Sequence, residues 1–239
     1  MWMMKKKIIL FGTAILFVLL LLFGTYKLMN SRTYQFFGGL THQVGTEEKV
    51  VALTFDDGPT ENVPELLPLL EKYNAKATFF LIGSEIEKSP GEAEKLIEAG
   101  HQIGNHTYSH KRMIFKSPSF IKKEIEKTDA LIRSAGYQGE IDFRPPNSKK
   151  LMGLPYYLKK HHRDTIAMNL EPDTYYASSS DKVKYIKDNI QPGSIILLHP
   201  WYVGTAADEL KAVEGILEVL TEKGYKFVTV NELQTRADK

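Results

Sequence analysis

The 239-residue chain contains no cysteine. This absence excludes disulfide bonds and thiol chemistry, and it leaves histidine and carboxylate side chains as the ligands for any metal ion. It does not exclude an extracellular location, because a domain of about 200 residues builds a core that folds without covalent cross-links. The composition is otherwise ordinary for a globular protein, with 43% hydrophobic and 25% charged residues.

A strong excess of either charge is also missing, since the formal net charge is only +2. Four lysines, Lys5, Lys6, Lys7 and Lys27, flank a single apolar segment. Without them the 31 basic residues fall to 27, against 29 acidic ones, so the remainder of the chain is slightly acidic. A domain with this balance binds nucleic acid poorly, and we expect no nucleic-acid partner. No motif identifies a protein partner.

Residues 8–24 form the one long apolar run and contain no charged side chain. Their number lies at the short end of the about 17–25 residues that span a bilayer. Basic residues precede the run, and the positive-inside rule then places the N-terminus in the cytoplasm and the later residues outside the cell. We expect residues 1–29 to form a single-pass membrane anchor, with the domain on the cell-wall side. A signal peptide is the alternative, although no small-residue cleavage site follows the run.

Residues 30–48 lack a clear periodicity and predict a flexible linker. Residues 49–239 alternate between strand-like and helix-like segments, which predicts one α/β domain with a parallel sheet or barrel. The candidate strands are 49–55, 76–82, 101–105, 140–143, 164–169, 194–199 and 225–230. The candidate helices are 63–73, 90–99, 117–135, 154–160, 181–189 and 206–223.

Two adjacent carboxylates, Asp56 and Asp57, end the apolar run that begins at Val51, and Gly58-Pro59 follows them. The run predicts a buried strand, so both side chains should lie at its carboxyl end, where α/β folds place their chemistry. Neighbouring carboxylates repel each other unless a cation or a proton separates their roles. A divalent metal ion is the simplest solution, and an exposed turn without function is the alternative.

His106 and His110 follow another candidate strand at a spacing of four residues. On a helical turn, or on a tight loop of similar shape, this spacing directs both rings to one point. With one aspartate they would form a three-ligand site that leaves a position for water, as catalytic zinc sites do. Two surface histidines on a loop are the alternative interpretation.

Four motifs taken together resemble the polysaccharide deacetylase family, also called carbohydrate esterase family four. They are Thr54-Phe55-Asp56-Asp57-Gly58-Pro59, His106-Thr107-Tyr108-Ser109-His110, Arg144-Pro145-Pro146 and Leu197-Leu198-His199. The resemblance implies a distorted (β/α) barrel of about seven parallel strands. It also implies removal of N- or O-acetyl groups from chitin-like glycans, peptidoglycan or xylan, with a divalent metal ion that is usually zinc.

The resemblance also implies a role for each motif residue. The three metal ligands would be Asp57, His106 and His110. Asp56 would act as the general base, and Arg144 would hold it in place. His199 would be the general acid, and the backbone N–H of Asn147 would complete an oxyanion hole.

The chain departs from the family pattern in two motifs. Asn147 and the polar residues after it replace an aromatic residue and a glycine. Thr174 stands where an aspartate is expected, so that Asp173 or Glu171 would have to orient the general acid instead. Tyr175 could replace the tryptophan that lines the acetyl pocket, and we expect Pro146 and Leu197 beside the substrate. Trp201 and Tyr202 follow His199 and could stack on sugar rings.

Location and motifs together predict a membrane-anchored, metal-dependent N-deacetylase that acts outside the cell. The expected substrate is peptidoglycan, at GlcNAc or MurNAc residues, or a chitin-like oligomer. One alternative is a deacetylase-like protein of the cell envelope that binds glycan with little or no turnover. Another is a different metal hydrolase on a barrel.

Overall fold

The computed structural model describes residues 2–201 and 206–237. Helix α1, Trp2–Met29, contains the apolar run and buries none of its residues. It is long and apolar enough to cross a membrane, although a signal sequence would have the same length and composition.

A parallel sheet forms the centre of the domain. Strand β2 pairs with β3 and β6, and at its amino-terminal end also with β7, while β4 extends the sheet beyond β3. Strands β1 and β5 form a separate parallel pair. The strands are β1 Leu40–Thr41, β2 Val50–Asp56, β3 Thr78–Leu81, β4 Gln102–Asn105, β5 Thr165–Ile166, β6 Ile195–Leu198 and β7 Lys226–Val228.

Single bridges connect the remaining segments into a distorted barrel. Phe143 bridges Asn105 on one side and Thr165 on the other, and Leu170 bridges Ile196 of β6. The prediction of a full strand over 140–143 is therefore wrong, because only Phe143 in this segment makes a bridge. The predicted fold class, a distorted (β/α) barrel with parallel strands, is confirmed.

Helices cover the outer face of the sheet and follow the strands as the periodicity predicts. They are α2 Val63–Lys72, α3 Gly83–Lys88, α4 Pro90–Glu98, α5 Pro118–Ser134, α6 Gly153–Lys160, α7 Ser179–Asn189, α8 Ala206–Glu222 and α9 Val230–Thr235. Helices α3 and α9 were not predicted, because six residues are too few to show a helical period.

Successive side chains along β2 point to opposite faces of the sheet. Val51, Leu53 and Phe55 belong to the core under the helices, where Phe55 stacks on Phe79 with ring centroids 5.0 Å apart. The alternate residues point into the barrel, where Phe80, Met168 and Leu197 form a smaller core. Because successive strand side chains point to opposite faces, Thr54 and Asp56 belong to the interior set.

Residues 30–48 differ from the expected flexible linker. Within this segment, β1 pairs with β5, Gln43 bridges Ser194, and Val44 is buried. Gly193 approaches the carbonyl oxygen of Val44 so closely that an added Cβ would lie 1.8 Å from it. This packing could not be predicted from local patterns, because the partners lie more than a hundred residues away.

Candidate active site

Asp56 and Asp57 lie at the carboxyl end of β2 and point in different directions. Asp56 continues the strand and is buried inside the barrel. Asp57 adopts a positive φ of 72°, a conformation that aspartate tolerates better than most residues. This turn directs the carboxylate of Asp57 away from that of Asp56 and towards two imidazole rings.

A tight loop after β4 presents these two rings. Thr107 and His110 both have positive φ, 69° and 52°, so the loop is not a helical turn. Asn105 stabilises it by accepting a hydrogen bond from the backbone N–H of Thr107 at 2.8 Å. The Nδ1 atom of His106 lies 2.8 Å from the carbonyl oxygen of Arg144, which acts as the acceptor. The proton is thereby assigned to Nδ1, which leaves Nε2 as the atom that faces the carboxylate.

Asp57, His106 and His110 form a candidate metal site. The Oδ1 atom of Asp57 lies 3.4 Å from Nε2 of His106 and 3.1 Å from Nε2 of His110. One ligand atom from each residue lies within 4.8 Å of the others. Although burial opposes ionisation, hydrogen bonds from the two histidines hold the pKa of Asp57 far below its usual range. One carboxylate and two imidazoles at these separations fit a divalent ion that keeps an open position.

Arg144 holds Asp56 from the interior of the barrel. Its Nη1 atom donates to Oδ1 of Asp56 at 2.7 Å and to the hydroxyl of Thr54 at 2.8 Å. Its Nε and Nη2 atoms donate to the carbonyl oxygens of Ile166 and Ala167, and the guanidinium lies over the ring of Phe80. The side chain of Arg144 is fully buried, and four hydrogen-bond acceptors and one aromatic ring surround it. The position of the Asp56 carboxylate is therefore closely constrained.

His199 lies on the opposite side of the cleft, after β6. Its Nδ1 atom and its backbone N–H both meet Oδ2 of Asp173, at 3.1 and 2.7 Å. Burial lowers the pKa of His199, but the hydrogen bond with Asp173 and the nearby aspartates outweigh it and raise the pKa. An aspartate was expected at the position of Thr174 to orient His199, with Asp173 or Glu171 as the possible replacements. Asp173 is the carboxylate that contacts the imidazole.

Two further charged residues continue this chain of contacts and were missed in the sequence. Lys182 on α7 is fully buried, and its Nζ atom lies 2.9 Å from Oδ1 of Asp173 and 2.7 Å from Oε2 of Glu209 on α8. In the sequence both are ordinary charged residues of amphipathic helices. Only the packing of α7 against α8 reveals that their side chains are buried.

A cleft of about 260 Å³ connects the two sides of the site. Its lining residues are Arg32, Asp56, Asp57, His106, His110, Asn147, Ser148, Glu171, Thr174, Leu197 and His199. Asn147 has a positive φ of 52° and therefore adopts the left-handed conformation without the glycine that the family pattern led us to expect.

Two of the residues expected beside the substrate do not line the cleft. Pro146 is buried behind it, and Tyr175 is 61% exposed and packs against Tyr185. Thr174 lines the cleft in place of Tyr175. Trp201 lies beside Gly58, and its Nε1 atom donates to the carbonyl oxygen of Asp56 at 2.6 Å. Tyr202 lies outside the described residues.

The comparison with protein families agrees with this geometry. The family model described as "Polysaccharide deacetylase" matches residues 43–166, which is more than half of the chain. This chain belongs to the polysaccharide deacetylase family. The matched range includes the candidate metal ligands, Asp56 and Arg144, and ends before His199.

The sequence is similar to those of named bacterial deacetylases. Two proteins of Bacillus cereus, each called peptidoglycan-N-acetylglucosamine deacetylase, are similar to this chain. One is 31% identical over 208 residues, which are 82% of this chain and 93% of the relative. The other is 34% identical over 183 residues, 75% of this chain, and the match spans only 66% of that relative's length.

A solved structure of the same family is also similar. It is a pseudoenzyme of carbohydrate esterase family four from Bacillus anthracis, with a TM-score of 0.74 and 26% identity, and the match covers 83% of this chain and 69% of that one. Polysaccharide deacetylases thus include at least one protein described as a pseudoenzyme, so membership of the family does not by itself establish activity.

Proposed function

We propose that this chain is a metal-dependent deacetylase that hydrolyses N-acetyl groups of peptidoglycan, at GlcNAc or MurNAc residues. The observation that carries the proposal is the convergence of three candidate ligands, Asp57, His106 and His110, beside a second carboxylate that Arg144 holds separately. The names of the Bacillus cereus relatives support the substrate class. Chitin-like oligomers contain the same N-acetylglucosamine and are the second candidate substrate.

Zinc is the metal ion that we propose, because two imidazoles and one carboxylate are a common catalytic zinc set. Bound there, the ion would supply positive charge that lowers the pKa of the attacking water and polarises the carbonyl group of the substrate. The ligand roles of Asp57, His106 and His110 belong to this proposal, as does the cation itself.

Asp56 is the proposed general base. Its Oδ2 atom lies 3.6 Å from Nε2 of His106, so the carboxylate borders the position between the ligands. Arg144 holds the other oxygen, which leaves Oδ2 to accept a proton from the attacking water. The water oxygen then forms a bond to the carbonyl carbon, and the backbone N–H of Asn147 is the proposed donor to the developing oxyanion.

His199 is the proposed general acid. Asp173 binds its Nδ1 side, so that Nε2 faces the cleft at 4.0 Å from Oδ2 of Asp57. The raised pKa favours the imidazolium, which donates its proton to the leaving nitrogen as the C–N bond breaks. Acetate and the free amine of the sugar are the products.

Location and domain organisation complete the proposal. Helix α1 would anchor residues 1–29 in the membrane, and the domain that follows it, with the segment 30–48 packed against its barrel, would face the cell wall. Protease protection of the intact chain in closed vesicles of known orientation tests this topology. Cleavage of the domain from the cytoplasmic face would contradict it.

Acetate release tests the activity. The zinc-loaded chain should release acetate from peptidoglycan or chitotetraose, and Asp56→Asn should abolish the release. Lys184→Gln, an exposed change on α7, serves as the control and should have no effect. Absence of acetate from every N-acetylated glycan tested would refute the proposal.

The second candidate function is glycan binding without turnover. It is favoured by the polar residues that follow Arg144 and by the likeness to a pseudoenzyme. In that case glycan would bind, no acetate would appear, and Asp56→Asn would leave the binding unchanged.

A further inference from the structure

The segment that follows α1 forms part of the wall of the cleft. The backbone N–H of Lys150 donates to the carbonyl oxygen of Met29 at 3.3 Å, and its Nζ atom donates to the carbonyl oxygen of Ser31. The Nζ atom of Lys149 donates to Oδ1 of Asn30. The segment is thus attached to the loop that carries Asn147, the proposed oxyanion donor.

This attachment places the side chain of Arg32 in the cleft. Arg32 is one of the lining residues, and its Nη2 atom donates to Oε2 of Glu171 at 2.6 Å. Its Nε atom is buried and has no hydrogen-bond partner among residues 2–201 and 206–237. A buried, unpaired N–H on a cation is costly, so the contact with Glu171 does not satisfy all of the hydrogen-bonding capacity of Arg32.

Other cations surround Arg32. Burial, together with the charges of Arg112 and Arg32, lowers the pKa of Lys149. Burial and the charge of Arg32 lower the pKa of Lys150 to about 8. The hydrogen bonds of Lys149 to Asn30 and of Lys150 to Ser31 place both ammonium groups at the residues that immediately precede Arg32. An anion placed among these like charges would relieve their repulsion.

The acidic residues of the cleft do not balance the positive charges of Arg32 and the cations around it. Glu171 pairs with Arg32, whereas Asp56 is held by Arg144 and Asp57 faces the two histidines. Arg112 is exposed, and its Nε atom donates to Oδ1 of Asn147 at 3.1 Å, which places a further cation at the same rim. Arg32 thus lines the cleft and pairs with Glu171, while Arg112 and Lys149 contact the wall of the cleft through Asn147 and Asn30.

We propose that Arg32, Arg112 and Lys149 form a subsite for a carboxylate of the glycan, next to the N-acetyl group that is hydrolysed. This inference rests on the proposed function, because it is peptidoglycan that carries carboxylates, on the lactyl group of a muramic acid without a stem peptide and otherwise on the peptide that is attached there. Arginine matches a carboxylate in shape and charge, and Lys149 adds a third positive charge. The segment after the membrane helix would then select anionic over neutral glycan.

Equilibrium binding tests the subsite independently of turnover. The full-length chain in detergent micelles, loaded with zinc and carrying Asp56→Asn so that ligand is not consumed, is titrated with a tetrasaccharide of alternating GlcNAc and MurNAc. The same tetrasaccharide with its lactyl carboxylates converted to primary amides is the neutral ligand. We expect the carboxylate form to bind about tenfold more tightly, and the difference to shrink with added salt.

Variants then assign the effect to individual residues. Arg32→Gln and Lys149→Gln should each remove most of the preference for the carboxylate and leave the affinity for the amide within about twofold. Lys184→Gln on α7 is the control and should preserve the preference. Equal affinity for the two ligands, or an equal loss for both in the variants, would overturn the inference. Tighter binding of a matched glycosyl phosphate would overturn the assignment to a carboxylate.

Acetate release from neutral chitotetraose separates the two hypotheses. If the chain hydrolyses chitotetraose but shows no preference for the carboxylate ligand, the subsite does not exist and the proposed function stands. If the preference is present but neither glycan yields acetate, the proposed catalysis fails and the subsite stands.

Discussion

The substitution Asp173→Asn tests the role of the carboxylate behind His199. Asparagine has nearly the same shape and can still accept the hydrogen bond from the backbone N–H of His199, which lies 2.7 Å from Oδ2. It removes the negative charge beside Nδ1 of the imidazole, 3.1 Å away. It also removes one of the two carboxylates that pair with Lys182, which keeps Glu209 as its partner. His199 is only partly exposed, so solvent screens this interaction incompletely.

The expected loss follows from the charge-assisted hydrogen bond. Such a bond contributes about 1.5–3 kcal/mol, which corresponds to a rate about 10- to 150-fold lower if it acts in the transition state. The loss should appear in kcat more than in KM, because the imidazolium acts on the leaving amine and not on glycan binding.

The pH profile supplies a second readout. In the wild-type chain Asp173 raises the pKa of His199, and the protonated acid is lost as pH rises through this raised pKa. In Asp173→Asn the alkaline decline of kcat should therefore begin at lower pH. Asp188→Asn, an exposed change on α7, is the matched control. An unchanged kcat and an unchanged alkaline limb would refute the role of Asp173.

Three further predictions concern the metal site, the buried Arg144 and the packing of residues 40–48. His106→Ala and His110→Ala should each weaken zinc binding at least about tenfold in equilibrium dialysis, whereas His162→Asn on the surface should not; equal binding in all three would count against the ligand set. Arg144→Lys should lower the free energy of unfolding in urea by about 3 kcal/mol, because it disturbs a buried ion pair, and a loss below about 1 kcal/mol would contradict this. Gly193→Ala should destabilise by about 2–3 kcal/mol, because its Cβ would collide with the carbonyl of Val44 at a φ of +74°, and a neutral effect would show that residues 40–48 are not packed as described.

Much of the fold and the centre of the site followed from local sequence patterns. The strand ending in Asp56 and Asp57 could be predicted because a buried apolar run and a Gly-Pro turn are both local signals. The spacing of His106 and His110 indicated convergence, although positive φ angles rather than a helical turn produce it.

The parts that could not be predicted depend on partners distant in the chain. Lys182 and Glu209 are polar by sequence and buried only because α7 packs on α8. Arg32 enters the cleft because its segment is attached to the loop near Lys150, more than a hundred residues later. Tyr175 was expected at the substrate because of its position relative to the family motif, but the turn over Pro172–Thr174 directs it outward.

Zinc binding by a pair of matched variants tests the central claim most directly. Asp56→Asn and Asp57→Asn are the same chemical change at neighbouring positions. Asp56 is the proposed general base, whereas Asp57 is a proposed metal ligand. In full-length protein, Asp57→Asn should weaken zinc binding at least about tenfold. Asp56→Asn should bind zinc as tightly as the wild-type chain and yet release no acetate. Equal loss of zinc in both variants, or full acetate release by Asp56→Asn, would contradict the division of labour between the two aspartates.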